Sequence, residues 1–257
     1  MSAAEPRRAS TCRVCGRGPT IEAHLFPRAL GHDLRGQEKH LFVGAAAEPG
    51  RRIVQAGLFD REILCSTHEA ALGAYDDYGI EFCRTFAAKC THPEPNIWRV
   101  RHVDGDKLVR FWLAILWRFS ISTLHEATLV KLGPFEDRVR DILFSNTSCS
   151  VEPATTMMRY RCQVMRPENI CFPPYKTYFP GWRPLRAYGL AVAGFHAVIK
   201  IDGRPIPPEA HMATINGKSE VNGGYLVFEE THQFQRMRQI AKNMALKPQR
   251  GQTPRSP

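Results

Sequence analysis

The chain has 257 residues, which is long enough for one large domain or two small domains with a buried core. With 43% hydrophobic and 23% charged residues, its composition is that of a globular protein and contains no low-complexity block except a short tail. The formal net charge of +10 predicts a polyanionic partner, because excess Lys and Arg raise the local concentration of phosphate groups.

The sequence shows no targeting or membrane segment. Residues 1–10 are polar and lack the apolar stretch of a secretory signal. The most apolar run, from Phe111 to Trp117, is too short to span a membrane. We therefore expect a cytoplasmic protein without a membrane partner. In that compartment its eight cysteines stay reduced, and paired cysteines are metal ligands before they are disulfides.

Four parts are predicted along the chain. Residues 1–11 are expected to be a disordered leader and 12–92 a metal-binding domain. Residues 96–246 are expected to form an α+β domain of unknown role, followed by a disordered basic tail at 247–257. The boundary is placed at Pro93-Glu94-Pro95, because two closely spaced prolines interrupt regular structure.

The N-terminal part is predicted to contain two strands and a helix. Apolar residues alternate from Ile21 to Phe26, which indicates a strand. The segment from Ile53 to Leu64 can supply a second strand, broken near Gly57. From His68 onward, apolar residues recur at helical spacing.

Helices and then strands are predicted in the remainder. Lys107 to Leu124 reads as a buried helix with acids at its start, in Asp104-Gly105-Asp106. Another helix is predicted to begin at Pro134 and to reach Phe144. From Met157 onward, alternating segments predict a small antiparallel sheet, and Glu229 to Leu246 predicts an amphipathic C-terminal helix. The predicted fold class is α+β.

Two pairs of possible metal ligands share the same two-residue spacer. Cys12 and Cys15 form the first pair, and Cys65 and His68 form the second. Zn²⁺ prefers thiolate and imidazole ligands in a tetrahedron, so the four residues predict a structural zinc site with no position open for water. The alternative is that they are small buried side chains with chance spacing.

The residues between and within these pairs resemble a known family. The segments are Ala23-His24-Leu25-Phe26-Pro27-Arg28 and Leu64-Cys65-Ser66-Thr67-His68-Glu69. With the first cysteine pair, they resemble the zinc-stapled branch of the HNH endonuclease superfamily over residues 12–80 only. The resemblance implies a ββα-metal fold and metal-dependent cleavage of DNA, in bacterial or phage defence or in mobile-element biology.

The resemblance also implies roles for individual residues. His24 occupies the position of the general base, which deprotonates the attacking water. Asp60 stands where the family usually has an asparagine, and Glu69 stands at a metal-binding His or Asn position. Both are hard oxygen ligands suited to Mg²⁺ or Mn²⁺. Arg28 would neutralise phosphate charge beside the base. Ala23 departs from the family pattern, because that position is often a metal ligand.

Each assignment has a structural alternative. His24 could be a hydrogen-bonded loop residue, Asp60 a turn residue, and Glu69 a first-turn acid that stabilises the helix dipole. Asp76 and Asp77 could reach the same cleft, but we expect them to form a solvated face. The alternative functions are a non-catalytic, zinc-containing nucleic-acid-binding module and a protein-interaction factor, such as an inhibitor or assembly factor, on a degenerate HNH scaffold.

Overall fold

The computed structural model describes residues 10–35, 41–43, 52–54, 57–145 and 147–245. The α-helices in these ranges are α1 (Arg28–Arg35), α2 (Ser66–Lys89), α3 (Gly105–Ile121), α4 (Phe135–Phe144) and α5 (His232–Ala245). The strands are β1 (Ala23–His24), β2 (Leu41–Val43), β3 (Arg52–Val54), β4 (Phe59–Asp60), β5 (Thr91–Glu94), β6 (Ile97–Arg101), β7 (Thr155–Arg161), β8 (Phe172–Tyr178), β9 (Arg186–Val192), β10 (Phe195–Lys200) and β11 (Glu220–Val227). These elements confirm the α+β class. The predicted tail at 247–257, and the predicted leader apart from its last two residues, lie outside the described residues.

The largest sheet has seven strands in the order β5-β6-β11-β7-β10-β9-β8. Its neighbouring strands are antiparallel except β11 and β7, which run parallel. Strands β7 to β10 supply the small antiparallel sheet expected from Met157 onward, and β11, β6 and β5 extend it on one side. Two further sheets of two strands each, β1–β4 and β2–β3, belong to the N-terminal part.

The predicted boundary at residues 93–95 falls in a β-hairpin rather than in a linker. Strands β5 and β6 pair across it, and β6 pairs in turn with β11 from the C-terminal half. One cluster of buried side chains extends from Cys12 to Val221 and so includes residues on both sides of this point. Pro93 is tolerated because β5 is the edge strand, where a missing N–H breaks no ladder of hydrogen bonds.

Helix α3 lies at the centre of this core. Nearly all of its side chains are buried, as the sequence predicts. The carboxylate of Asp104 caps it by accepting a hydrogen bond from the Lys107 N–H at 2.9 Å. Helix α2 approaches α3 closely at Gly79, where a Cβ atom would lie 2.1 Å from the Phe111 ring. The helix contact therefore depends on the absence of a side chain at that position.

None of the helices in the described ranges combines the length and apolar composition that crossing a bilayer requires.

Strand β10 carries a buried histidine. His196 is 8% exposed, and its Nε2 atom lies 2.7 Å from the Tyr175 hydroxyl. The Tyr160 ring stacks on the imidazole, with 5.7 Å between ring centroids. Burial lowers the pKa of His196 to about 4, since the charged imidazolium loses its hydration in the protein interior.

We predict that His196 makes the fold sensitive to mild acid. Below an ordinary histidine pKa of about 6.5 the unfolded chain binds a proton at this residue, whereas the folded chain stays unprotonated until about pH 4. Stability should therefore fall as pH decreases through this window, by about 3 kcal/mol in total.

Urea unfolding at several pH values measures this effect. His196→Gln, which carries no charge at any of these pH values, should flatten the dependence, whereas His232→Gln on the exposed start of α5 should leave it unchanged. Parallel losses in His196→Gln and the wild-type chain would contradict the prediction.

Candidate metal centre and histidine site

The four predicted zinc ligands converge. The ligand atoms of Cys12, Cys15, Cys65 and His68 all lie within 4.8 Å of one another. His68 Nδ1 lies 3.5 Å from the Cys12 sulfur and 3.1 Å from the Cys65 sulfur. In a tetrahedral zinc site, with bonds of about 2.3 Å to sulfur and 2.0 Å to nitrogen, such ligand atoms are about 3.6 Å apart. The cluster could therefore bind a metal ion such as zinc.

Backbone contacts bring the two ligand pairs together. The N–H of Arg13, within the first pair, donates to the carbonyl of Ile63, just before the second pair, at 2.9 Å. Cys65 is the N-cap residue of α2, and His68 lies in the first turn of that helix. The His68 ring contacts Phe144 of α4, with 5.3 Å between centroids. The cluster thus joins the N-terminal turn to the helical core.

His24 lies beside the start of α2. Strand β1 pairs antiparallel with β4, and His24 is opposite Phe59. The His24 backbone N–H donates to Oε1 of Glu69 at 3.3 Å, which ties β1 to the first turn of α2. The imidazole is half-buried, and desolvation together with the charge of Arg28 lowers the pKa of His24 below its ordinary value. The ring is therefore neutral at pH 7 and can accept a proton.

Arg28, the first residue of α1, stays close enough to influence His24. Its side chain is exposed, and its charge is one of the causes of the lowered pKa of His24. A nearby surface arginine, Arg61, is instead paired with Glu22, with Nε 3.1 Å from Oε1. Of these two arginines, only Arg28 is among the charges that lower the pKa of His24.

Asp60 does not join this group. It lies on the opposite face of the β1–β4 pair from His24, since successive residues of a strand point to opposite sides. It is 2% exposed, and its oxygens accept hydrogen bonds from Glu62, Ser122 and Thr123 at 2.7–3.1 Å. Burial alone would raise the pKa of Asp60, but these donors hold it below its ordinary value. The carboxylate binds the segment after α3. Contrary to the expectation from the sequence, it does not lie beside the imidazole of His24.

A buried arginine that belongs to neither motif lies beside Glu69 and Asp76. The Arg118 side chain of α3 is 1% exposed, and its Nη1 and Nη2 atoms donate to the two oxygens of Asp76 at 3.0 and 2.8 Å. Nη2 also lies 3.6 Å from Oε2 of Glu69. Burial raises the pKa of Glu69, and the charge of Arg118 opposes this. The three side chains form one charged cluster that reaches His24 through Glu69.

The sequence contained a signal for this cluster. Arg118 ends the apolar run that forms most of α3, and a charged side chain in such a run is buried only with a partner of opposite charge. Asp76 supplies that partner, so the expectation of a solvated face is wrong for Asp76. Asp77, the next residue, is exposed.

The acids as arranged do not fit a Mg²⁺ or Mn²⁺ site. Asp60 is buried and accepts hydrogen bonds from the segment after α3, and both oxygens of Asp76 accept hydrogen bonds from Arg118. One oxygen of Glu69 accepts the His24 N–H, and the other accepts no hydrogen bond from a described residue but faces the guanidinium. Mg²⁺ demands near-octahedral oxygen ligands, and an oxygen that already faces a cation is a poor first ligand.

The site therefore combines four side chains that could bind a metal ion, a neutral imidazole and a buried Arg–carboxylate cluster. Its functional interpretation depends on these residues, on the motifs that contain them and on the charge of the chain. The chain matches no protein-family model, no curated protein and no solved structure.

Proposed function

We propose that the chain is an HNH-like endonuclease that hydrolyses DNA, with His24 as general base and Zn²⁺ as a structural ion. The observation that carries the proposal is the position of a half-buried, neutral imidazole beside the helix that carries two of the metal ligands. The motif resemblance supplies the reaction class. The net charge of +10 favours a polyanionic substrate.

In this proposal Cys12, Cys15, Cys65 and His68 hold one Zn²⁺ and leave no position for water. The ion would hold the turn that contains Cys12 and Cys15 against the start of α2, and it would take no direct part in the reaction. Three thiolate ligands must remain reduced to bind it, which supports a cytoplasmic setting.

In the proposed reaction, His24 and Arg28 each have one role. His24 accepts a proton from water, whose oxygen forms a bond to phosphorus while one P–O bond to the sugar breaks. The leaving oxygen takes a proton from solvent. Arg28, exposed beside the ring, would offset the charge that develops on the phosphate oxygens. The lowered pKa of His24 keeps the base in its proton-accepting form at neutral pH.

We expect His24→Ala to lower the rate at which supercoiled plasmid DNA is nicked by about 10²- to 10⁴-fold, the usual contribution of a general base. Nicking should be measured with and without added Mg²⁺ or Mn²⁺. His211→Ala, which changes an exposed histidine outside the site, should retain the wild-type rate. Equal rates for His24→Ala and the wild-type chain, with metal content and unfolding temperature unchanged, would contradict the proposal.

A second candidate function is a non-catalytic nucleic-acid-binding module on the same scaffold. The specific observation in its favour is the pairing of Glu69 and Asp76 with Arg118, which occupies acids that a divalent ion would need. This function predicts salt-dependent gel shifts without cleavage. Binding should be unchanged in His24→Ala and weaker in Arg28→Ala.

A further inference from the structure

The buried positive charge beside Glu69 and Asp76 belongs to a side chain, Arg118. We infer that the guanidinium of Arg118 is the resident cation of the Glu69–Asp76 pair and excludes Mg²⁺ and Mn²⁺ from it. This deepens the proposed function: if the chain cleaves DNA, it does so without a divalent ion at these acids. Only that consequence rests on the proposed function. Whether Arg118 excludes Mg²⁺ and Mn²⁺ from the two acids does not depend on whether the chain cleaves DNA.

The first support is the geometry of the pair. Arg118 donates to both oxygens of Asp76, at 3.0 and 2.8 Å, in the two-pronged arrangement that suits a guanidinium and a carboxylate. An ion bound at Asp76 would have to share a carboxylate oxygen with the guanidinium that already donates to it. The guanidinium has no alternative position in solvent, since its side chain is 1% exposed.

The second support is the charge balance. Glu69 and Asp76 contribute −2 and Arg118 contributes +1, so the three side chains together retain a charge of only −1 to attract a second cation. A divalent ion on the remaining oxygen of Glu69 would lie next to Nη2, which is 3.6 Å from that oxygen. Like charges at such short range in a partly desolvated site repel strongly.

The third support is that Arg118 has a positioning role which an ion would disturb. The guanidinium faces one oxygen of Glu69, and the other oxygen accepts the His24 backbone N–H at 3.3 Å. Arg118 thereby fixes the end of β1 that carries the imidazole. It is a positioning residue and not a catalytic one, because its burial prevents contact with a substrate.

Manganese binding tests the inference directly. Zinc-loaded protein is titrated with Mn²⁺, and free Mn²⁺ is followed by electron paramagnetic resonance. The wild-type chain should bind no Mn²⁺ that depends on Glu69 or Asp76. Arg118→Met leaves two carboxylates without their cation and should gain a Mn²⁺ site, with an affinity at least about tenfold above any residual Mn²⁺ binding by the wild-type chain. Adding Glu69→Gln to that variant should remove the new site.

Control variants separate the possible outcomes. Arg84→Met breaks an exposed arginine–aspartate pair of similar geometry, with Asp33, and should create no Mn²⁺ site. The inference is overturned if Glu69→Gln or Asp76→Asn alone abolishes Mn²⁺ binding seen in the wild-type chain. A folded Arg118→Met that gains no Mn²⁺ site also overturns it.

The test remains informative if Arg118→Met does not fold, because the two single carboxylate variants keep Arg118 in place. It is also independent of cleavage. A chain that binds no Mn²⁺ at these acids and cuts no DNA would contradict the proposed function and support the inference.

Discussion

In the proposed zinc site, replacing Cys65 by serine should release the metal ion and unfold the N-terminal part of the chain. Strands β1 and β4 have two residues each, so backbone pairing contributes little to holding this region. Structural zinc sites in small units contribute about 10–16 kcal/mol of apparent binding free energy, which is comparable with the whole stability of a typical domain. Loss of one of four ligands should remove most of that contribution.

Two measurements check this result. Metal content after dialysis should fall from about one zinc ion per chain to near zero, and hydrogen exchange should rise between Cys12 and the start of α2. Cys90→Ser changes a half-buried cysteine outside the cluster and should retain the ion and the unfolding temperature. A Cys65→Ser chain that keeps both its zinc and its unfolding temperature would show that the cluster is not a structural metal site.

Replacing Arg118 by methionine should destabilise the fold by about 3–5 kcal/mol, the usual effect of breaking a buried ion pair. The variant leaves Asp76 and Glu69 mostly buried, with 14% and 20% of their side chains exposed, and without a counter-charge. Urea unfolding gives the free energy. Adding Asp76→Asn should recover part of the loss, since the amide carries no charge into the interior.

The chain offers a matched exposed pair as a control. Arg84 donates to Asp33 at 2.9 and 2.8 Å, but both side chains are well exposed, so Arg84→Met should change stability by less than about 1 kcal/mol. Equal losses in Arg118→Met and Arg84→Met would show that burial is not the cause.

The pH dependence of the Arg118→Met variant supplies a further check. Burial raises the pKa of Glu69, and loss of the nearby positive charge should raise it further. The folded variant then binds a proton at pH values where the unfolded chain does not. The stability of the variant relative to that of the wild-type chain should therefore increase as pH falls toward the ordinary glutamate value of about 4.5 and decrease as pH rises. A loss of stability that stays constant over this range would contradict a charged Glu69 as its source.

Some features of the fold could be predicted because they depend on neighbours along the chain. The cap at Asp104, the buried character of α3 and the start of α4 after Pro134 all follow from patterns within a few residues. Strand β11 could not be predicted in this way, because its centre is Asn222-Gly223-Gly224, a sequence typical of a turn. A Cβ at Gly223 would lie 2.5 Å from the Trp98 ring, so packing across the sheet accounts for the glycine.

The sequence by itself determined the four possible metal ligands, helices α2 to α5 and the candidate base, because ligand spacers, helical periodicity and a proline-flanked histidine are local signals. Only the tertiary structure decided which acids accompany His24. The register of β1 against β4 turns Asp60 away from the imidazole, and the contact between α2 and α3 brings Arg118 to Asp76. Both outcomes depend on segments more than thirty residues apart, where a shift of one residue in a strand exchanges the two faces.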